Sequence, residues 1–376
     1  MTSTTIKSFN LTMEKLKIEK YNLVNSSTYV TIDIGTCLLK CLYVDHEDDE
    51  YNSDPQNPDI IFTFQIIEAK NEFRELIKTI KYKISNSKLY QFKTVLLCGM
   101  KAYHYRGEIA KIFNCEVKLV SEKQAMAIGL RYINNNHNNN SLFYQPENVE
   151  FPMLSMHSKS IDMFRKCWKD KTEKEFMNKM NKNFPILYVS VGSVSRFIQV
   201  NETGEGKEIS LNTLGGGTFL GLAKSLLNEN NFNCIISNAE NGNKGNIDTQ
   251  RKDIKLAKDL ENSPSGRYFA DLTVFPFGKA TDIQSTDTLP YNLEDISQSL
   301  VAMIMESVSF FSFRVAFMTC CKSIYYGGYL FQPKAFRIEY RKFCQRLPEL
   351  IKSYFLKTGI ETNIGLLLMN KTNFTT

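Results

Sequence analysis

The 376-residue sequence predicts an α/β fold built from two similar halves, and three observations carry that prediction. First, one strand–glycine–strand hairpin is written twice. Tyr29-Val-Thr-Ile-Asp33-Ile-Gly35-Thr36 leads into Cys37-Leu-Leu-Lys40-Cys41-Leu-Tyr-Val44, and Ile186-Leu-Tyr-Val-Ser190-Val-Gly192-Ser193 leads into Val194-Ser-Arg196-Phe-Ile-Gln-Val200. Each copy is an apolar strand, a polar residue two before a glycine, a hydroxyl after it, and a return strand. Second, short apolar strands ending in glycine alternate with helical patterns, the signature of α/β layers. Third, the length is right for about two lobes with a sizeable core.

The elements follow in order. Residues 1–27 are polar and read as a flexible N-terminal arm. The first hairpin, 28–44, is followed by an acidic and polar loop to Asp59, a strand over 60–67, a helix over 73–84 and a buried strand, Thr94-Val-Leu-Leu-Cys98-Gly99. A strand at 115–120 precedes a helix for which Ser121 is the N-cap, with apolar spacing at Ala125, Ile128, Gly129 and Tyr132. The run 134–140, nearly pure Asn, reads as disordered, and 134–183 as a low-complexity polar insert. After the second hairpin, Leu214-Gly215-Gly216-Gly217-Thr218 opens another helical pattern, and a second Asn-rich stretch, 228–246, reads as an insert without chemistry. A helical stretch (253–262), a turn at 264–266, the segment Thr273-Val-Phe-Pro-Phe-Gly278, a long helix over 293–320, the strand and glycine turn Ser323-Ile-Tyr-Tyr-Gly327-Gly328, and a partly helical 332–355 complete the pattern. The expected division is a first lobe at 28–133 and a second at 184–376.

Composition narrows the classes. Hydrophobic content is 43% and the N-terminus has no apolar core, so no secretory signal is expected. The most apolar stretch, 301–321, carries Glu306 and Arg314, which argues for a buried helix and against a membrane span. Nine cysteines without CxxC spacing read as reduced thiols of a cytoplasmic protein, with the nucleus as an alternative location, and four unpaired histidines predict no zinc site. The net charge of +6 is spread along the chain rather than gathered in a stripe, which argues against a nucleic-acid partner.

Chemistry is expected at the glycine turns. Asp33 in an apolar strand needs a cation or a donor, which makes it a candidate ligand for Mg²⁺, and Lys40 on the return strand can reach a transferring phosphate. Gly35, which a hairpin turn can require on conformational grounds alone, and Thr36 form the turn. Gly192 and its neighbour Ser193 take the equivalent place in the second copy. Gly215, Gly216, Gly217 and Thr218 open a helix where backbone N–H groups and the helix dipole can meet phosphate oxygens; the apolar flanks argue for an ordered turn rather than a linker. Glu122 in a first helical turn fits helix-start chemistry, or a general base for a substrate hydroxyl. Gly327 and Gly328, with neighbouring tyrosines, suit either a structural turn or a nucleotide base edge.

The order of these motifs resembles eukaryotic-type (type II) pantothenate kinases, over residues 28–369 without the inserts. Thr213-Leu-Gly-Gly-Gly-Thr-Phe-Leu-Gly-Leu222 is similar to the family's S-L-G-G-G-T-F-L-G-L. Asp33-Ile-Gly35 resembles D-I-G-G-T, and Glu122 with Gly129, Tyr132 and Ile133 resembles E-x(6)-G-x-x-Y-I. Val189-Ser-Val-Gly192-Ser193 resembles V-N-I-G-S-G, Phe277-Gly278 resembles S-F-G, and Ile324-Tyr-Tyr-Gly-Gly328 resembles the glycine turn near adenosine. The resemblance implies a two-lobed actin-like ATPase, or acetate and sugar kinase, fold with duplicated βββαβα-type halves. It also implies ATP and Mg²⁺ as cofactors, pantothenate as substrate, Glu122 as general base, dimer formation and inhibition by acyl-CoA.

The departures are local. Thr36 and Cys37 stand for the second glycine and the threonine of D-I-G-G-T, and Gly99-Met100-Lys101-Ala102 stands for G-G-G-A. Val194 bulks the second turn, Ser309 to Phe313 replaces S-N-N-I-G on the dimer helix, and H-E-G-Y is absent around Gly359. The family arginine that engages pantothenate falls on Glu208, and Arg196 is expected to supply the lost charge. An active pantothenate kinase and a catalytically weak subunit paired with a paralogous kinase chain both follow, as a homodimer or a heterodimer. Phe310, Phe311 and Phe313 on the dimer-type helix predict an apolar interface. A sugar kinase of the same fold is the third reading, and Leu214-Gly-Gly-Gly-Thr-Phe-Leu-Gly221 argues against it.

Overall fold

The computed structural model describes residues 10–19, 30–35, 38–43, 59–68, 73–85, 94–136, 142–143, 183–254, 270–282, 291–344, 351–357 and 359–369. In its first part, β1 (Asn10–Glu19), β2 (Val30–Ile34), β3 (Leu38–Tyr43), β4 (Asp59–Glu68), β5 (Thr94–Cys98) and β6 (Glu116–Leu119) form one sheet in the order β1-β4-β3-β2-β5-β6. The pairs from β1 to β2 are antiparallel, whereas β2–β5 and β5–β6 are parallel. Among the described residues three helices accompany these strands: α1 (Phe73–Ser85), α2 (Ala102–Phe113) and α3 (Glu122–Asn135).

The second part repeats this arrangement. β7 (Ile186–Val191), β8 (Ser195–Val200) and β9 (Gly206–Asn212) lead into α4 (Gly216–Leu227) and α5 (Phe232–Asn241). A two-stranded ribbon of β10 (Thr249–Gln250) and β11 (Thr273–Phe275) precedes the long α6 (Leu293–Met318), which is followed by β12 (Ser323–Gly327), α7 (Lys334–Cys344) and β13 (Lys352–Phe355). The sheet order is β13-β12-β7-β8-β9. Starting from the hairpin strand, both sheets place a return strand and a third strand on one side and two parallel additions on the other. This is the expected duplication of βββαβα-type halves. The last described element is α8 (Ile360–Met369).

Residues 1–144, 200–206 and 356–376 form one compact unit, and 145–199 with 207–355 form the other. The last helix therefore belongs with the first unit, not with a second lobe running unbroken over 184–376. Its packing gives the reason. In the first sheet, Val30, Ile32 and Ile34 pack with Ile77 and Ile80 of α1 and with Ile109 and Phe113 of α2. The opposite face, with Leu96 and Cys98, packs with Ala125 of α3 and with Leu366 and Met369 of α8. Covered on both faces, β2 is buried along its whole length. Side chains alternate along a strand, so Thr31 and Asp33 point to the α8 face. Thr31 Oγ1 donates to Asn363 Oδ1 of α8 at 2.8 Å.

Several expectations are corrected. Residues 10–19 of the expected arm pair with β4 as a strand. The Asn run begins inside α3, where Asn134 is buried, and Asn136 is the helix C-cap; 137–141 lie outside the described residues, as does most of the insert to 182. The stretch 228–246 is ordered: Asn231 accepts from the Asn233 and Cys234 amides at 3.0 and 3.2 Å to start α5, and Asp295 accepts from the Asn243 amide at 2.6 Å. The Asn side chains there act as caps, not as linker polarity. Of the helix expected at 253–262, only a short 3₁₀ turn at Arg251–Asp253 is described. α6 passes by length and composition for a membrane-crossing helix, yet its face carrying Leu300, Ile304 and Val308 is fully buried in the second unit.

Candidate functional site

In the first unit the hairpin register brings the acid and the base together. Asp33 lies directly opposite Lys40 in the β2–β3 ladder and beside Cys98 in the β2–β5 ladder. Lys40 Nζ donates to Asp33 Oδ2 at 2.8 Å, with Asp33 almost fully buried. The other oxygen, Asp33 Oδ1, has no hydrogen-bond partner among the described residues; burial and the Asp33 charge push the pKa of the nearby Cys98 thiol far up. Burial alone would lower the Lys40 pKa. The charges of Asp33, Glu361 and Glu122 more than offset that and hold it above its ordinary value. Lys40 is therefore held as an ammonium, with Asp33 as its bonded counter-charge.

Two glycines shape the space around this pair. Gly99 has φ +98°, and a Cβ there would lie 2.4 Å from Ile34 O and 2.6 Å from Asp33 Oδ1. It leaves room beside the one carboxylate oxygen that lacks a donor. Such an acidic, buried and under-satisfied oxygen fits a divalent cation. Gly359 has φ +77°, and a Cβ there would lie 2.0 Å from Lys40 Cδ. Gly35 is different. It donates its N–H to Leu38 O at 2.9 Å, does not have positive φ, and its added Cβ would meet nothing closer than 3.4 Å. The turn itself does not require glycine at that position. Thr36 lies outside the described residues.

Glu122 is the first residue of α3 and exposed, with Ser121 as N-cap accepting from the Gln124 amide at 3.5 Å. The helix dipole favours a carboxylate there. Gly129, seven residues on, is a packing residue: a Cβ would come 1.8 Å from Glu361 O of α8, and one on Gly365 would come 1.6 Å from Ala125 O of α3. The two helices meet backbone to backbone. Glu361 at this contact is 3% exposed. Nothing in the sequence points to Glu361, which only the α3–α8 crossing identifies, or to the contact of Gly359 with Lys40.

In the second unit the triple glycine has a reason other than the expected one. Gly216 N–H donates to Gly192 O at 2.7 Å, and Gly217 N–H donates to Ser193 O at 3.1 Å. A Cβ on Gly215 would fall 2.8 Å from Ser193 O. These glycines dock α4 onto the 192–194 turn, and two amides expected to face phosphate are committed to that turn. Ser195 Oγ reinforces the contact by donating to Leu214 O at 2.6 Å. Gly192 and Ser193 are exposed, and nothing lies within 4 Å of a Cβ placed on Gly192. Thr218 Oγ1 donates to Thr213 O at 3.2 Å.

Gly327 and Gly328 pack on β7, since their added Cβ atoms would meet Tyr188 Oη at 2.4 Å and Val191 O at 2.2 Å. The tyrosines before them do not reach for a ligand. Tyr325 and Tyr326 are fully buried and stack on Tyr354 and Phe355. Arg196 is not an unengaged cation either: its Nε and Nη2 donate to Glu208 Oε2 at 3.0 and 2.5 Å. On α6, Phe310 is exposed beneath the Arg314 guanidinium, while Phe311 packs on Phe197.

Comparison with known proteins gives consistent findings. The chain is 30% identical over 168 residues to pantothenate kinase 2 of Arabidopsis thaliana, covering 44% of this chain and 18% of that one. It is 23% identical over 314 residues to the pantothenate kinase of Schizosaccharomyces pombe, covering 80% and 71%. It is 22% identical over 330 residues to the 4'-phosphopantetheine phosphatase of Mus musculus, covering 82% and 36%. The match thus spans a minor part of the plant and mouse relatives. Among solved structures, the glucokinase of Balamuthia mandrillaris aligns with a TM-score of 0.40 at 12% identity, covering 93% of this chain and 96% of that one. The Fumble family matches residues 29–345, which take in both hairpins, Glu122 and the triple glycine, and the chain belongs to that family, as a diverged relative of the eukaryotic pantothenate kinases.

Proposed function

We propose that the chain transfers the γ-phosphoryl group of ATP to pantothenate, giving 4'-phosphopantothenate, the first step of coenzyme A synthesis. The observation that carries this reading is the Asp33–Lys40 pair, with its donorless carboxylate oxygen in the space left by Gly99. Glu122 accepts the proton of the primary hydroxyl as that oxygen bonds to the γ-phosphorus. The bond from the γ-phosphorus to its bridging oxygen breaks, and ADP leaves. Lys40 holds phosphate charge, and Asp33 holds the divalent cation, which when bound neutralises charge on the phosphates. Gly35 and Thr36, and in the second unit Gly192, Gly215, Gly216, Gly217, Thr218, Gly327 and Gly328, are assigned to nucleotide binding, the triple glycine by close backbone approach and not through the Gly216 and Gly217 amides, which the 192–194 turn already uses. The open space at Gly192 supports its share of that role. Ser193 and Arg196 are assigned to pantothenate, and acyl-CoA inhibition, a dimer and a cytoplasmic location go with the same reading.

A second reading has its own observation. Glu208 already occupies the Arg196 guanidinium, so a pantothenate carboxylate meets a neutralised pair. This favours a catalytically weak subunit working in a heteromeric complex with a paralogous kinase chain. Steady-state kinetics of the Glu122→Ala chain test the primary reading. The expected kcat loss is about 10²- to 10⁴-fold, the range for a general base, with the KM for ATP little changed. Undiminished kcat removes Glu122 from the mechanism.

A further inference from the structure

We infer that Lys101 and the start of α2 bind the terminal phosphate of a nucleoside triphosphate whose divalent cation is held by Asp33. This rests on the nucleotide part of the reading above and is independent of the phosphoryl acceptor. Gly99-Met100-Lys101-Ala102 places a lysine where the G-G-G-A pattern has its third glycine. The backbone sets that lysine beside the buried acid. β2 and β5 run parallel, with Asp33 opposite Cys98. Gly99 follows, and a Cβ there would lie 2.6 Å from Asp33 Oδ1. Two residues on, the Lys101 amide donates to Ile34 O at 3.0 Å. Lys101 is thereby anchored to the residue after Asp33, at the N-cap of the 12-residue α2.

For the helix itself, a lysine is a poor residue at that position. The dipole favours negative charge at a helix start, and the usual caps are Ser, Thr, Asp and Asn. α2 has no side-chain cap bond and no acid in its first turn. Among the described residues Lys101 forms no ion pair. The Lys101, Ala102 and His104 amides donate to Ile34 O, Gly99 O and Lys101 O at 3.0, 3.1 and 3.1 Å, which leaves the Tyr103 amide without a partner among the described residues. Met100 and Tyr103 are 76% and 75% exposed, so this turn is open to solvent. A cation without a counter-charge, an open amide and the helix dipole together suit an anion.

Asp33 says which anion. Its Oδ1 is buried, has no hydrogen-bond partner among the described residues and faces the Gly99 space. That carboxylate repels a bare anion, but it attracts one that carries a divalent cation. The terminal phosphate of a nucleoside triphosphate is such an anion. It is also the group to be transferred, and Glu122, the proposed base, starts α3 in the same unit. Lys40 is already bonded to Asp33 Oδ2 at 2.8 Å, whereas Lys101 carries its charge on a flexible stem with no such bond.

The test is calorimetry on the full chain with Mg²⁺, using ADP and the non-hydrolysable triphosphate adenylyl-imidodiphosphate, in the parent, Lys101→Met and Lys101→Arg. The parent is expected to bind the triphosphate tighter than ADP. Lys101→Met is expected to bind the triphosphate about tenfold more weakly, the scale of one charge-assisted hydrogen bond, with ADP affinity unchanged and the thermal midpoint not lowered. Lys101→Arg is expected to keep most of the parent's affinity. Parent-like binding of both ligands by Lys101→Met overturns the proposal. So do equal losses for ADP and triphosphate, a loss in Lys101→Arg as large as in Lys101→Met, a parent that does not prefer the triphosphate, and unfolding of Lys101→Met, which would make Lys101 a stability residue. No arm contains pantothenate. A parent that shows the preference yet makes no phosphopantothenate refutes the proposed function and leaves this inference standing.

Discussion

Arg196 and Glu208 carry the sharpest residue-level consequence. Replacement of a cation by Glu208 is visible in the sequence, and so is Arg196 on the neighbouring strand; their closure into a pair is not, because it depends on the β8–β9 pairing. Releasing the guanidinium tests what the pair does. Glu208→Gln is expected to lower the KM for pantothenate by up to about fivefold, the scale of an exposed ion pair worth under about 1 kcal/mol. Arg196→Ala is expected to raise it. Unchanged constants in both variants would place the carboxylate of the substrate elsewhere. The Asp33–Lys40 bond was nearer to legible. A tight turn after Asp33 sets 33 opposite 40, so the two charges meet by register alone. The sequence predicts Lys40 at phosphate, and the structure adds that Asp33 already holds it.

At the scale of elements, the glycines divide by what they touch. Gly129 and Gly365 allow α3 and α8 to meet backbone to backbone, and Gly129→Ala forces a methyl to within 1.8 Å of Glu361 O. A loss of at least about 1–3 kcal/mol is expected from such overpacking. Gly107, inside α2, is the control: nothing lies within 4 Å of its added Cβ, and Gly107→Ala is expected to stabilise by about 0.5–1 kcal/mol. Thermal denaturation of the two variants reads both signs. The glycine of the E-x(6)-G pattern was visible in the sequence, but its partner was not, since spacing does not say which helix will cross. The triple glycine shows the same limit. Its apolar flanks correctly marked an ordered turn, while the use of the Gly216 and Gly217 amides by the 192–194 turn needed the packed structure.

Across the whole molecule, the duplicated halves were legible because each hairpin repeats the same residue pattern. The stretch 228–246 was not, because Asn-rich composition looks the same in a linker and in a series of caps. That ordered stretch leads into a buried ion cluster. Lys244 Nζ donates to Glu306 of α6 at 2.6 Å and to Glu339 of α7 at 3.3 Å, and Lys342 also reaches Glu339 at 2.5 Å. Burial raises the Glu306 pKa, and Lys244 is the cation that opposes this. Lys244→Met leaves Glu306 without its cation, and urea unfolding is expected to show a loss of about 3–5 kcal/mol, as for a broken buried pair. A change within error would mean that the cluster is solvated in solution. For the molecule as an enzyme, the most direct measurement is product formation by the purified full chain given ATP, Mg²⁺ and pantothenate. The account predicts phosphopantothenate and ADP in equal amounts; no product from the chain alone, with activity appearing only beside a second kinase chain, would contradict it.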